Sequence, residues 1–239
     1  MSCINCTVNA RTFFIQPVYM CASEFGFPID VHIGDTGTPI HAAARVGDMT
    51  SIDIMVSLDK SLLQQKTSTT KKSLLHFAAR NNHVRMCTML LEMGFDDVNV
   101  RDASRMTPLI EASSQGHWAI VAELLSLGCD TNVASVDMKT PWIHCIEQQQ
   151  ISLLEKVLPP KQSRCQTYST PLQFAVLSAL DDDTTLAVVE KLIGMGEDPT
   201  VLTGIHQSLF VLCTNRMKLK CAAALKVHTP NLLEEPPTL

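Results

Sequence analysis

Aromatic side chains are scarce: Phe, Trp and Tyr together make up 5% of the 239 residues. Strands are enriched in aromatics, so the shortage argues against a β-sandwich and for a helical protein packed with Leu, Ala and Met. Charge is thin as well, at 18% Asp, Glu, Lys and Arg with a formal net charge of -5. That balance argues against a broadly basic nucleic-acid binder. No apolar run reaches the roughly 20 residues that span a bilayer, so no membrane partner is expected. Nucleophile elbow, phosphate loop, H-E-x-x-H and kinase signatures are all missing, and neither an enzyme nor a cofactor is expected. What is present in quantity is apolar surface, 46% of residues. This is enough for a buried core and excludes disorder throughout.

The nine cysteines are an odd number with no recurring spacing. Reduced thiols in a cytoplasmic or nuclear protein are the reading they favour. Cys3 and Cys6 form a C-x-x-C that could join Cys21 and His32 around zinc, but no second C-x-x-C follows, and no metal site is assigned. Residues 1–23 hold no acid and one base, Arg11, a thin hint of a transit peptide that leaves organellar import open.

The decisive feature is an internal repeat. Thr38-Pro39-Ile40-His41-Ala42-Ala43-Ala44 is followed by Ser73-Leu74-Leu75-His76-Phe77-Ala78-Ala79 and Thr107-Pro108-Leu109-Ile110-Glu111-Ala112-Ser113. Then come Thr140-Pro141-Trp142-Ile143-His144-Cys145-Ile146 and Thr170-Pro171-Leu172-Gln173-Phe174-Ala175-Val176. The leading positions are 35, 34, 33 and 30 apart. A second block repeats with them, as in Gly116-His117, Ile120-Val121, Leu124-Leu125 and Gly128-Cys129-Asp130. A Thr or Ser N-cap with Pro behind it starts a helix. The small pair lets helices approach, the Ile/Val and Leu/Leu positions form one apolar stripe, and Gly closes the second helix.

This pattern resembles the ankyrin repeat, T-P-L-H-x-A-A followed by G-H and the I-V, L-L and G-A-D positions. The resemblance covers five clear units over residues 37–199. A degenerate sixth runs through Ser208-Leu209-Phe210-Val211-Leu212-Cys213 and Cys221-Ala222-Ala223-Ala224-Leu225. It implies an all-α solenoid of stacked helix pairs with short hairpin loops. The expected organisation is a capping segment at 1–36, a repeat domain at 37–226 and an irregular tail at 227–239. His41, His76, His83 and His117 are framework residues in such repeats, and Trp142 is expected in the core.

Three departures carry expectations. Lys71, Arg105, Met138 and Tyr168 stand where the hairpin glycine is usual, so those turns should be less regular. Gln148-Gln149-Gln150 replaces Gly-His in the fourth unit, so its inter-helix turn should be atypical. The fifth unit holds about five extra residues around Asp181-Asp182-Asp183, expected as a solvated turn with Asp183 or Thr184 capping the second helix.

The resemblance also implies the function: a non-catalytic protein-interaction module, binding through hairpin tips and inner helices on a concave face. Carried over by position, the candidate contacts are Arg45, Thr69, Thr70, Lys72, Arg80, Asn81, Ser104, Met106, Ser114, Gln115 and Lys139, with a half-exposed Trp118. No acid lies between Asp59 and Glu92, while that stretch holds Lys60, Lys66, Lys71, Lys72, Arg80 and Arg85. A local positive field in an acidic protein points to an acidic segment of a protein partner. The alternatives are a substrate-recruiting adaptor of a larger complex such as a ubiquitin ligase and, behind it, an enzyme with a cryptic site in the degenerate repeats. A monomer or one subunit of a hetero-complex is expected. In similar repeats Asn99 and Asn132 occupy a position open to β-hydroxylation.

Overall fold

The structure is a computed structural model that describes residues 37–159, 170–200 and 208–228. The expected cap at 1–36, the tail beyond 228, Tyr168, and the cysteine–histidine set Cys3, Cys6, Cys21 and His32 lie outside the described residues. Twelve α-helices follow in six pairs among those residues. They are α1 Pro39–Val46 with α2 Met49–Leu58, α3 Leu74–Arg80 with α4 Val84–Glu92, and α5 Pro108–Gln115 with α6 Trp118–Ser126. Then come α7 Pro141–Glu147 with α8 Ile151–Val157, α9 Pro171–Leu177 with α10 Asp182–Gly194, and α11 Leu209–Asn215 with α12 Leu219–His228. A short 3-10 helix, Lys60–Gln64, follows α2. No sheet forms among the described residues; Lys66 and Ser73 make an isolated antiparallel bridge. The last helix runs on to His228 rather than stopping at 226.

The helices divide into two compact units that part between Ala103 and Ser104. In the first, α1 packs on α2 and on α3, and α3 on α4. In the second, α5, α7, α9 and α11 succeed one another, each backed by its own partner helix. The small positions do what their size allows: Ala43, Ala44, Ala78, Ala79, Ala112 and Ala175 have no exposed surface. The apolar stripes are buried too, with Ile52 and Met55 on α2, Ile120, Val121 and Leu124 on α6, and Val188, Val189 and Leu192 on α10 all at 0% exposure. Trp142 lies in the core, edge-on to Phe174 with centroids 5.7 Å apart. Such an aromatic pair contributes about 0.5–1.5 kcal/mol beyond its buried area.

The T-P-L-H entry is a capping box with histidine in the reciprocal role. His41 Nδ1 lies 3.2 Å from Thr38 N and 2.7 Å from Thr38 Oγ1, and its Nε2 lies 3.1 Å from the Gln65 carbonyl. One arrangement satisfies this geometry: Nδ1 accepts and Nε2–H donates. His76 Nδ1 repeats the contact with Ser73 N at 3.3 Å and Ser73 Oγ at 2.8 Å. Ile110 and Ile143 hold the equivalent position in the next two units and cannot reciprocate. There the buried Thr140 hydroxyl has no hydrogen-bond partner among the described residues.

Candidate interaction surface

The hairpins between helix pairs close on themselves and then on each other. In the first unit Thr67 N–H donates to the Lys72 carbonyl at 2.9 Å, and Ala103 N–H donates to the Thr70 carbonyl at 2.9 Å. In the second, Ser135 N–H donates to the Lys139 carbonyl at 2.9 Å and Val136 N–H to the Ser104 carbonyl at 3.0 Å. Each tip is thereby tied by backbone to the next. Contrary to the sequence expectation these turns are regular. Lys71, Arg105 and Met138 take φ of 56°, 58° and 58°, the left-handed region a glycine would occupy. The backbone ties impose the turn and the side chains bear its strain.

The fourth unit's inter-helix turn is regular as well. Gln149 takes φ 60°, as Asn82 does at 63° and Gly116 at 76°. In five units the residue before the second helix donates to a carbonyl five positions back: Asp48 to Ala43, His83 to Ala78, His117 to Ala112, Gln150 to Cys145 and Lys218 to Cys213, all within 2.8–3.0 Å. This is the six-to-one bond of a Schellman closure.

A second recurring bond joins successive units. His83 Nε2 meets the Arg45 carbonyl at the end of α1, at 3.0 Å. Gln148 Nε2 donates to the Ser113 and Ser114 carbonyls at the end of α5, at 3.1 and 3.2 Å. Gln148, which opens the run that replaces Gly-His, is therefore structural. Lys218 does the same for α9: its ammonium donates to the Ala175 carbonyl at 3.4 Å, the Ser178 carbonyl at 3.0 Å and Thr185 Oγ1 at 2.8 Å. A cation at a helix C-terminus is favoured by the helix dipole, while burial pushes the Lys218 pKa down. Sequence reading missed Lys218. Aligning Met217-Lys218-Leu219 on Gly116-His117-Trp118 would have found it.

The acidic insertion is not a loop. It extends α10 to 13 residues. Asp181, not Asp183 or Thr184, is the N-cap, accepting from Thr184 N–H at 3.1 Å. Asp182 reaches across to accept from the backbone N–H groups of Lys220 at 2.8 Å and Cys221 at 3.3 Å, capping α12. Asp183 pairs with Lys220.

The candidate contacts fall on hairpins, on first helices and their C-caps, and, for Trp118, on the first residue of α6. Arg45, Thr69, Thr70, Arg80, Ser104 and Gln115 are exposed; Lys72, Asn81, Met106, Ser114, Trp118 and Lys139 are half-buried. Several serve local structure. Asn81 Nδ2 donates to the Phe77 carbonyl at 2.8 Å, and Ser114 Oγ to the Glu111 carbonyl at 2.8 Å. Lys139 pairs with Glu147, whose other oxygen lies 3.4 Å from His144 Nδ1. Burial holds the His144 pKa low; the Glu147 charge opposes this and Lys139 adds to it.

Lys72 departs most from expectation. Its ammonium is 3.9 Å from Asp102, and the two side chains are 17% and 2% exposed. The acid that balances it comes from beyond the acid-free stretch, so the positive field at this hairpin is smaller than the local sequence implies. Arg45 and Arg80 instead stand at equivalent points in the last turns of the packed helices α1 and α3, both exposed. Asn99 and Asn132 are half-buried in matching turns, their N–H groups donating to Asp97 Oδ1 at 2.9 Å and Asp130 Oδ1 at 2.8 Å. Among the described residues no cluster of three or more His, Cys, Asp or Glu is placed to hold a metal ion, and no helix is long and apolar enough to cross a membrane.

The family model for ankyrin repeats (3 copies) matches residues 19–102 and 40–135. Among curated relatives, the probable E3 ubiquitin-protein ligase XBOS33 of Oryza sativa subsp. japonica is 37% identical over 99 residues, which is 41% of this chain and 19% of that protein. Transient receptor potential cation channel subfamily A member 1 of Homo sapiens is 36% identical over 116 residues, 48% of this chain and 10% of that protein. The match thus spans a fifth or less of such relatives. Among solved structures, the ankyrin repeat domain of Bcl-3 superposes with a TM-score of 0.68 at 17% identity, covering 87% of this chain and 91% of that one. A chain from the complex of the Bd0816 predatory endopeptidase of Bdellovibrio bacteriovorus with immunity protein Bd3460 gives 0.65 at 18% identity, covering 79% and 96%.

Proposed function

Because the chain belongs to the ankyrin-repeat family, we propose that it is a non-catalytic module that binds a protein partner through its hairpin tips and first helices. The observation that carries this reading is a division of labour along the repeats. Framework polar groups such as His41, His83, Gln148 and Lys218 are turned inward on backbone groups, whereas Arg45, Thr69, Thr70, Lys71 and Arg80 stand exposed on adjoining elements of the first unit. An acidic segment is the partner chemistry that Arg45, Lys71 and Arg80 fit, with Lys72 held back by Asp102. Rim charges of this kind act mainly on association rate and on salt dependence. Affinity capture from the native cell, repeated with the Arg45→Glu plus Arg80→Glu variant, tests it.

A second reading has its own support. Several curated relatives are described as E3 ubiquitin-protein ligases, which favours a recruiting role in which these repeats hold the client. Co-purification of a ligase subunit with the wild type would distinguish this from a stand-alone module. Asn99 and Asn132 remain proposed hydroxylation sites. Peptide mass spectrometry of protein from its native host should find a +16 Da species, and its absence at both residues ends that proposal.

A further inference from the structure

Four hydroxyl residues in a row, Thr67-Ser68-Thr69-Thr70, form the hairpin that leads into α3, and the fold uses two of their hydroxyls. Thr67 is buried. Its Oγ1 accepts from the Lys72 N–H at 2.9 Å and lies 2.8 Å from Thr70 Oγ1. The Thr67 backbone closes the same turn, donating to the Lys72 carbonyl at 2.9 Å and accepting from the Lys71 N–H at 3.2 Å. Ser68 and Thr69 do none of this. Both are exposed, and among the described residues neither hydroxyl makes a hydrogen bond.

Charge singles out Thr69. Lys66 stands three positions before it and Lys71 two after, both exposed, and no acid lies between Asp59 and Glu92. Enzymes that phosphorylate proteins select substrates partly by such charge patterns, and a basic segment suits a cleft with acidic walls. The tip is also able to open. It lies outside every helix, and Lys71 holds a left-handed φ of 56° that opening would relax.

We propose that Thr69 is a phosphorylation site for an ATP-dependent kinase with an acidic substrate cleft, and that the phosphate switches off the cationic surface of the first unit. The switch rests on the acidic-partner reading above. Thr69 Oγ attacks the γ-phosphorus of ATP, its new bond to phosphorus replaces the bond to the departing ADP, and the hydroxyl proton passes to the kinase's base. The ester brings about -1.5 to -2 charge at neutral pH. Lys71, two residues on, is at most about 7 Å away along the chain, within the screening length of about 8 Å at physiological ionic strength. A tip that attracts an acidic segment before modification repels it afterwards.

The test uses the full chain from its native host. Fragmentation mass spectrometry should place a gain of about 80 Da on Thr69, removable by phosphatase. A fluorescent decaglutamate peptide is the binding probe. Phosphatase-treated protein should bind it more tightly than the phosphorylated form, by about fivefold or more at low salt. No such gain on Thr69 overturns the site. Equal binding by the two forms, where Arg45→Glu plus Arg80→Glu does weaken it, overturns the switch and leaves the acidic-partner reading standing. Binding that neither change weakens overturns both.

Discussion

The ring of His83 fills the space that a Cβ on Gly47 would need: that atom would lie 2.8 Å from His83 Cε1 and Nδ1. The same ring bonds the Arg45 carbonyl two residues before Gly47. One histidine therefore reads the end of the preceding unit both by shape and by hydrogen bond.

Gly47→Ala meets two costs at once. A left-handed φ, here 88°, costs a non-glycine residue about 1–2 kcal/mol, and displacing His83 forfeits a bond that contributes about 1 kcal/mol. Urea unfolding should show a loss of about 2–3 kcal/mol. Gly128→Ala, with φ 78° and open space around its Cβ, should cost the backbone part alone.

The hairpin tips run the other way. Met138 holds φ 58° at a cost of about 1–2 kcal/mol, against about 0.5–1 kcal/mol for the extra unfolded-chain freedom of glycine. Met138→Gly should raise stability by about 0.5–1 kcal/mol with an unchanged denaturant slope, as should Arg105→Gly. Equal or lower stability would mean the tip is not strained.

Lys218→Met removes the donor to Ala175 O, Ser178 O and Thr185 Oγ1 while nearly conserving volume. Leaving buried acceptors unsatisfied costs about 1–3 kcal/mol. Lys218→Gln, which copies the Gln148 solution, should recover part of the loss.

The repeat makes the fold legible in the sequence itself. T-P-L-H spacing locates the helix starts, and the paired small residues mark where helices touch. Legibility fails where long-range partners decide. Lys71 and Met138 stand where a hairpin glycine is usual, but their own side chains do not favour the left-handed turn that the position keeps, where neighbouring tips are tied through Ala103 and Val136. Three consecutive aspartates read as a loop, yet they suit a helix N-terminus, and the groups that Asp182 caps lie far along the chain at Lys220 and Cys221. Lys72 reads as an exposed contact because Asp102 is thirty positions away. On the surface, sequence marks positions but not which of them the fold has already used.

Alkaline pH should unfold the protein through its buried thiols. Burial raises the Cys145 and Cys221 pKa from 9.0 to about 12 and that of Cys213 to about 11. Their contribution is complete below pH 9 and is lost as pH rises through those values, by up to about 1.4 kcal/mol per pH unit for each thiol. Lys218 acts oppositely: its lowered pKa means the unfolded chain holds a proton the native state has released, so its share rises with pH below 10.5. Three thiols outweigh one amine. Cys145→Ala should flatten the slope of stability between pH 10 and 11 by about 1.4 kcal/mol per unit.

The central claim is that this surface binds a protein partner through exposed cations of the first unit. Quantitative capture from the native cell, comparing wild type with Arg45→Glu plus Arg80→Glu at matched melting temperature, tests it most directly. Lys72 is left intact, since an acid there would face the buried Asp102 and confound binding with stability. The account predicts that a defined protein held by the wild type is captured at least tenfold less by the variant, about 1.4 kcal/mol, with the difference shrinking in high salt. Capture of the same proteins at the same level by the folded variant would contradict it.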